Sequence, residues 1–370
     1  MNSENQWTLC ISNVLIVYML VILFFVIRGA SKAKSISDYA VGNIGFPSWI
    51  VGLSLAASMT SAATFVINPG FIALYGFAGI LSMAVVLPLA AFASLIFFTK
   101  GFAKYGKLIK AKTMAEWIGN RFNNRAYKFF FAVVAMLLVT FIVLINVGLT
   151  QVISKSIQIE PFYVLLGITV FVFGYMMFGG ANSMVYTNTI QALIMVVVAL
   201  MMIFSGVDLF EGGFDGFVGK LNTIDPNLTT TFNTTSPLYR DFFEVVICQA
   251  IVGVAIVCQP HIMTKSLMLK NPEKVNAYLF FAISAMVIFF LIVIAGLYAR
   301  IMFPDLMNDG AQMRMYDIIL NYVVKRFSAA AGIIVIVGLI SAGLSTLEGL
   351  IQSLSITVTS DILEPLFGEK

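Results

Sequence analysis

Few side chains in this sequence could do chemistry, and they sit where charge is scarce. Residues 50–76, IVGLSLAASMTSAATFVINPGFIALYG, are apolar enough to cross a bilayer, yet they carry Thr60, Ser61, Thr64 and Asn68 just ahead of Pro69 and Gly70. The hydroxyls of Thr60, Ser61 and Thr64 can turn onto local backbone. Pro69 removes a donor and disfavours helix at Asn68, and Gly70 adds freedom. The stretch is therefore expected to break in its middle. Backbone groups freed at membrane depth are tolerated only where protein buries them or a cavity is lined by them. Such a break offers carbonyl and hydroxyl oxygens at one point, the ligands that a hard cation or small polar solute takes. A plain proline kink with Ser and Thr as packing residues explains the same stretch.

Two ionisable residues lie in similar surroundings. Glu348 is three residues after Ser345 and so shares roughly one helix face with it. Ionisable groups inside a membrane are expensive and usually functional. The Glu348 carboxyl is expected to modulate an ion site or carry a proton; the alternative is a carboxyl hydrogen-bonded within the bundle. His261 is the only histidine. Its ordinary titration lies near neutral pH, but a single histidine at a helix end is more often structural than a proton relay. No nucleophile and base pair, metal cluster or phosphate-binding loop occurs, so an enzyme is not indicated and no cofactor is called for. Cys10, Cys248 and Cys258 lie in or beside apolar segments without metal spacing.

The elements that must position these residues follow from composition. The 370 residues are 60% hydrophobic and 11% charged, with a mean hydropathy of +0.96, far from a soluble domain. Uncharged windows long enough to span a bilayer recur along the chain, which predicts a single transmembrane domain over residues 1–370. About nine helices are expected, at 9–27, 46–76, 78–99, 129–154, 161–178, 184–207, 245–263, 277–299 and 327–358. The last is longer than a bilayer needs and is expected to project into water. Between the third and fourth lies a basic connector in which Thr113 and Glu116 are spaced as a capping box for a short amphipathic helix carrying Trp117.

Orientation follows from counting Lys and Arg in alternate loops. With the amino terminus outside, most of the 22 basic residues fall on the cytoplasmic side, among them Lys104, Lys128, Lys265, Lys270 and Lys370. The other side keeps Lys155, Lys220, Arg240, Arg300, Arg314, Lys325 and Arg326 and an acidic polar loop from Asp208 to Asp241. A multi-pass protein of the plasma membrane is expected, with a lipid bilayer rather than nucleic acid as its surroundings.

Four segments, SAATFVINPG at 61–70, GGANSMVYTNTIQ at 179–191, CQPHIMTKSLMLK at 258–270 and SAGLSTLEGL at 341–350, resemble signatures of the sodium:solute symporter family in order and separation. The Pro260–His261 pair most resembles the branch of proline, pantothenate and monocarboxylate carriers. The resemblance implies an all-α integral membrane protein, a LeuT-type inverted-repeat helix bundle with one extra amino-terminal helix. Its core helix one would be the broken span, and the mate of that span would be 245–263, with Gly253 as its break. Counted on this pattern, Lys370 falls just after core helix eight, so the second repeat is expected to be incomplete. The implied function is sodium-coupled import of a small organic solute, such as an amino acid, vitamin or monocarboxylate, by alternating access. The alternative is a transport-inactive solute sensor or truncated fragment with the same binding fold.

Position by position, the resemblance implies a sodium site made of the backbone carbonyls of Ala57, Thr60 and Ala342 and the hydroxyls of Ser345 and Thr346, with sodium as the only metal. Oxygen donors of this kind suit a hard cation without a carboxylate, although Ser345 and Thr346 alone read equally as helix-packing residues. Solute would sit beside the ion, with Ser61, Thr64, Asn68, Gln249 and Gln259 as candidates and Cys258 beside them. His261 becomes a gate or helix-terminus element. Two departures stand out: Asn188 occupies a position where many relatives carry an aspartate linked to sodium passage or a further sodium site, a charge a neutral amide cannot supply, and Glu348 one where they usually carry a small polar residue. Val252 stands in place of a tryptophan of the proline carriers, which weakens proline as the solute.

Overall fold

Backbone in hydrocarbon must satisfy its own hydrogen bonds, so long apolar runs are forced into helix. The computed structural model of the chain describes residues 3–269, 271–308 and 310–368 and is almost entirely helical. Lys270 and Lys370, both counted above as cytoplasmic, lie outside the described residues.

Helix α1 is Ser3–Ala30 and α2 the short Ile36–Val41. Next come α3 (Ser48–Met59) and α4 (Ala63–Tyr75), a pair bent by 61°. Helix α5 is Phe77–Gly106, α6 Met114–Arg121, α7 Arg125–Ile157 and α8 Pro161–Phe204. Beyond α9 (Gly213–Ile224), α10 (Phe243–Val257) and α11 (Pro260–Met268) form a second pair, bent by 58°. The chain then runs through α12 (Val275–Met302), a two-residue ribbon of β1 (Met307–Asn308) and β2 (Ala311–Gln312), α13 (Met315–Arg326) and α14 (Ala329–Phe367).

Helix α14 is the centre of the bundle. It is buried from Val335 to Ser353 without interruption and packs on α8, α7 and α3. Small residues allow the approach: a Cβ on Gly343 would lie 2.4 Å from a Leu149 methyl, and one on Gly338 2.5 Å from a Val198 methyl. This is how membrane helices gain contact when hydrocarbon offers no hydrophobic drive. Helix α1 lies along α8, α3 packs on α8 and α12, and α10 packs along α5. The outer faces present large apolar side chains such as Leu20, Phe97 and Phe178, the surface a lipid-facing bundle requires.

The first break falls among the hydroxyl residues that predicted it but away from Pro69, and the second does not fall at Gly253. The first is at Thr60, whose extended backbone (φ −117°, ψ 98°) ends α3. Pro69 and Gly70 lie inside α4. A π-helical turn over Ala63–Ile67 precedes them, and its wider ladder accommodates the proline ring that an α-helical interior would reject. Gly70 serves close packing instead, since a Cβ there would stand 2.3 Å from the Met315 carbonyl oxygen. The second break is at Gln259, which is extended (φ −68°, ψ 139°) immediately before Pro260. Gly253 is mid-helix, where a Cβ would meet the Leu87 carbonyl oxygen at 2.6 Å.

At the basic connector the Thr113 hydroxyl accepts the Glu116 N–H at 2.9 Å, while the Glu116 carboxylate accepts the N–H of Lys112 at 2.7 Å, one residue before the usual box partner. Trp117 turns inward, stacking on Phe102 at 5.0 Å. The last turns of α14 are exposed at Leu363, Leu366 and Phe367, but just before them the helix is anchored to the connector. Asp361 is buried, accepts from the Thr113 hydroxyl at 2.5 Å and pairs with Lys128 at 3.0 Å.

Candidate ion and solute site

The unwinding at Thr60 frees the carbonyl end of α3 and turns it toward α14. The Ser345 hydroxyl donates to the Ala57 carbonyl at 2.9 Å and lies 3.1 Å from the Ala342 carbonyl. The Thr346 hydroxyl donates to the same Ala342 carbonyl at 3.2 Å. All are buried, and the Thr60 hydroxyl, also buried, has no hydrogen-bond partner. Ala57, Ala342, Ser345 and Thr346 are thus brought together, with Thr60 at the break one turn away. A hydroxyl that donates to a carbonyl keeps two lone pairs and can rotate to present one to a cation, so this cluster can act as an all-oxygen ligand set.

Glu348 points from α14 into α8 and is fully buried. Tyr175 donates to its Oε1 at 2.5 Å, Gln191 to the same oxygen at 3.2 Å, and the Thr187 hydroxyl to Oε2. Asn188 joins them in the orientation where its oxygen meets only donors and its nitrogen only acceptors. Its amide nitrogen then donates to Glu348 Oε2 at 3.1 Å and to Gln191 Oε1 at 3.0 Å, and its oxygen accepts from Ser58 Oγ and Lys265 Nζ, each at 2.8 Å. Ser58 Oγ is 3.4 Å from the Ser345 carbonyl. The Glu348 network therefore adjoins the oxygen cluster through Asn188 and Ser58. Tyr18 extends it to α1, accepting from Ser341 at 3.0 Å.

Lys265 is a correction to the charge count, which assigned it to the cytoplasmic loops. Its side chain is fully buried, and Nζ donates to the carbonyl and hydroxyl oxygens of Ser54, both at 2.8 Å. The reason is the bend at Gln259, which turns α11 back into the bundle. Tyr175, Thr187, Gln191, Ser54 and Ser58 were also missed. The available signal was their polarity within apolar helix, at spacings that put Thr187, Asn188 and Gln191 on adjoining faces.

The solute candidates are not gathered. Ser61 Oγ accepts the Ala63 N–H at 3.2 Å, a local cap at the start of α4. Thr64 is buried and Asn68 lies within the helical continuation. Gln249 holds an unpartnered buried Oε1. Gln259 and Cys258 line a cavity of about 520 Å³ with Phe131 and Leu138 of α7 and Thr357 of α14. A different cavity, of about 260 Å³, opens beside the first break and is lined by Ala62, Val66, Gly148, Gln151 and Tyr316. The two sets stay apart because α4 packs on α12 and α13 while α10 follows α5. His261 is buried with Nδ1 unpartnered. It lines a water-sized crevice of about 10 Å³ with Thr113 of the basic connector, Thr264, Gln352 and Thr357. Among the described residues no three His, Cys, Asp or Glu side chains converge as a metal site would need.

A bent-helix bundle with an all-oxygen cluster between two helices is the architecture of ion-coupled membrane carriers. The model of the sodium:solute symporter family matches residues 39–369, and the chain belongs to that family. The sodium/pantothenate symporter of Escherichia coli (strain K12) is 26% identical over 304 residues, which cover 79% of this chain and 61% of that protein. That of Haemophilus influenzae (strain ATCC 51907 / DSM 11121 / KW20 / Rd) is 26% identical over 335 residues, 89% of this chain and 66% of the relative. The chain thus spans a little under two thirds of these curated relatives. The high-affinity proline transporter PutP of Bacillus subtilis (strain 168) is 24% identical over 262 residues, 70% of this chain and 53% of the relative, which agrees with the branch that the Pro260–His261 pair resembles. Among solved structures, a Na+-coupled sialic acid symporter in a substrate-bound outward-open state superposes with a TM-score of 0.81 at 18% identity, covering 97% of this chain and 76% of that one. The fold is therefore the LeuT-type helical bundle.

Proposed function

We propose that the chain is a sodium-coupled secondary active transporter that imports a small organic solute by alternating access. The observation that carries this reading is the cluster at an unwound helix in which the Ser345 hydroxyl lies within 3.1 Å of both the Ala57 and Ala342 carbonyls and the Thr346 hydroxyl 3.2 Å from the Ala342 carbonyl. In this reading sodium binds there, with the Thr60 carbonyl as a further ligand. Residues 1–370 act as one transmembrane domain in the plasma membrane with the amino terminus outside. Ser61, Thr64, Asn68, Gln249 and Gln259 contribute to the solute path as the two bends move toward one another, and His261 lies along the cytoplasmic exit. Pantothenate, proline and sialic acid, named for the relatives, represent the solute classes to screen. The reading involves no covalent step and no cofactor.

The test compares the thermal midpoint of the purified chain in sodium and in potassium. A cation that binds the native state alone stabilises it by about 2.7 kcal/mol at one hundred times its dissociation constant. Sodium is expected to raise the parental midpoint, while Ser345→Ala and Thr346→Ala keep their midpoints in potassium and lose most of the sodium increment. A parental midpoint indifferent to sodium would overturn the assignment. Uptake of labelled solute into vesicles against its gradient, with sodium and then choline outside, tests the coupling itself.

A further inference from the structure

Lys265 is the only lysine or arginine in the buried class among the described residues, and neither the oxygen cluster nor the solute candidates require it. Three oxygens surround Nζ at one distance: the Ser54 carbonyl and hydroxyl at 2.8 Å and the Asn188 amide oxygen at 2.8 Å. An ammonium has three donors and no acceptor, so the cage satisfies it completely. Carbonyl, hydroxyl and amide oxygens held by two packed helices are also the ligands of a small monovalent cation. The compensating negative charge is one amide away, because the Asn188 nitrogen that backs the cage donates to Glu348 Oε2 at 3.1 Å. The other groups facing Glu348 from the packed helices are the hydroxyls of Tyr175 and Thr187 and the amide of Gln191. His261, on the helix that carries Lys265, faces Gly349. The other buried carboxylate, Asp361, is paired with Lys128.

We propose that Lys265 is a tethered cation: its ammonium fills a built monovalent-cation site between α3 and α8, so that the chain carries internally a charge that a mobile sodium ion would otherwise supply, and removing it opens the site to sodium. The site is separate from the cluster at Ser345, with which it shares no oxygen. It can therefore stand or fall independently of the transport reading.

Removing the ammonium leaves three inward-facing oxygens and an uncompensated Glu348, a combination that a monovalent cation relieves and an organic cation too large for the cage does not. The test measures the thermal midpoint of the purified chain against sodium concentration, with choline holding ionic strength constant. Lys265→Met is expected to have a lower midpoint than the parent in choline and to recover in sodium. Its midpoint should rise with the logarithm of sodium more steeply than the parent's by the slope of one further linked ion, whatever the parental slope is. Lys265→Arg, which keeps the tethered charge, should show no added slope. The added dependence should persist when Ser345→Ala is combined with Lys265→Met and vanish when Glu348→Gln is. Superposable sodium curves for Lys265→Met and the parent would overturn the proposal, as would an added dependence that survives Glu348→Gln. Should Lys265→Met be lost during purification in choline, recovery in sodium is the expected result, and equal loss in both salts overturns it.

Discussion

Glu348→Leu is expected to destabilise the folded chain by about 3–5 kcal/mol, the range for removing one partner of a buried charge pair. Leucine fills similar space, so the loss is electrostatic rather than a cavity effect. The fully buried Lys265 is left with no carboxylate in its network, and Tyr175, Thr187 and the Asn188 amide lose the acceptor they share. Each stranded polar group adds roughly 1–3 kcal/mol of desolvation before relaxation. Glu348→Gln retains one acceptor oxygen and should lose less, because it removes the charge but only part of the hydrogen bonding. Unfolding midpoints of the two variants in the same detergent check the order. The pairing itself shows as non-additivity: in a cycle with Lys265→Met, the double variant in choline should be less damaged than the sum of the single losses. A Glu348→Leu midpoint within a degree of the parent would mean that the carboxyl carries no charge that the bundle depends on.

The parts of this site differ in how legible they were, and the difference is physical. The membrane class and the helical bundle follow from uninterrupted apolar runs, a signal spread over hundreds of residues. A break somewhere in residues 50–76 was also readable, because Thr60, Ser61 and Thr64 crowd hydroxyls into apolar helix. It falls at Thr60, among those hydroxyls. Pro69 and Gly70, counted toward the same break, take no part in it, because the π turn at Ala63–Ile67 absorbs the proline, and a ladder shift of one residue leaves no mark in composition. The residues of the oxygen cluster came from motif resemblance, since nothing local links Ala57 to Ser345 across the chain. Lys265 was hidden by a rule that usually serves: a lysine near the end of an apolar run reads as a loop charge, and only the bend at Gln259 brings it inside. Glu348 announced itself as a charge in an apolar helix, but its partners on α8 depend on how that helix turns.

That turn is the subject of the second large effect. As one straight rod the 44 residues of α8 would measure about 66 Å, roughly twice a bilayer core. Gly180 interrupts them with φ 63° and ψ −167°, a region essentially restricted to glycine. A Cβ there would also lie 2.7 Å from Tyr39 Cδ2 and 3.0 Å from the Tyr39 carbonyl oxygen. Tyr39 cannot simply move aside, because its hydroxyl donates to the Met176 carbonyl at 2.7 Å and its own carbonyl accepts from Gln352 at 3.0 Å. Gly180→Ala is therefore expected to cost about 3 kcal/mol, combining backbone strain of 1–3 kcal/mol with displacement of a hydrogen-bonded neighbour. Gly167→Ala and Gly174→Ala are the controls in the same helix. A Cβ at either meets open space, and alanine there should be neutral or stabilising by up to about 1 kcal/mol. The functional consequence separates Gly180 from the ion ligands. Thr187, Asn188 and Gln191 follow the turn by seven to eleven residues, so altering its angle moves them away from Glu348 and Lys265 together. Gly180→Ala should then lower the midpoint in potassium and sodium alike, whereas Ser345→Ala lowers it in sodium alone. A Gly180→Ala variant with the parental midpoint in potassium would show that α8 can turn without glycine, and that the alignment of Asn188 with Glu348 is set elsewhere.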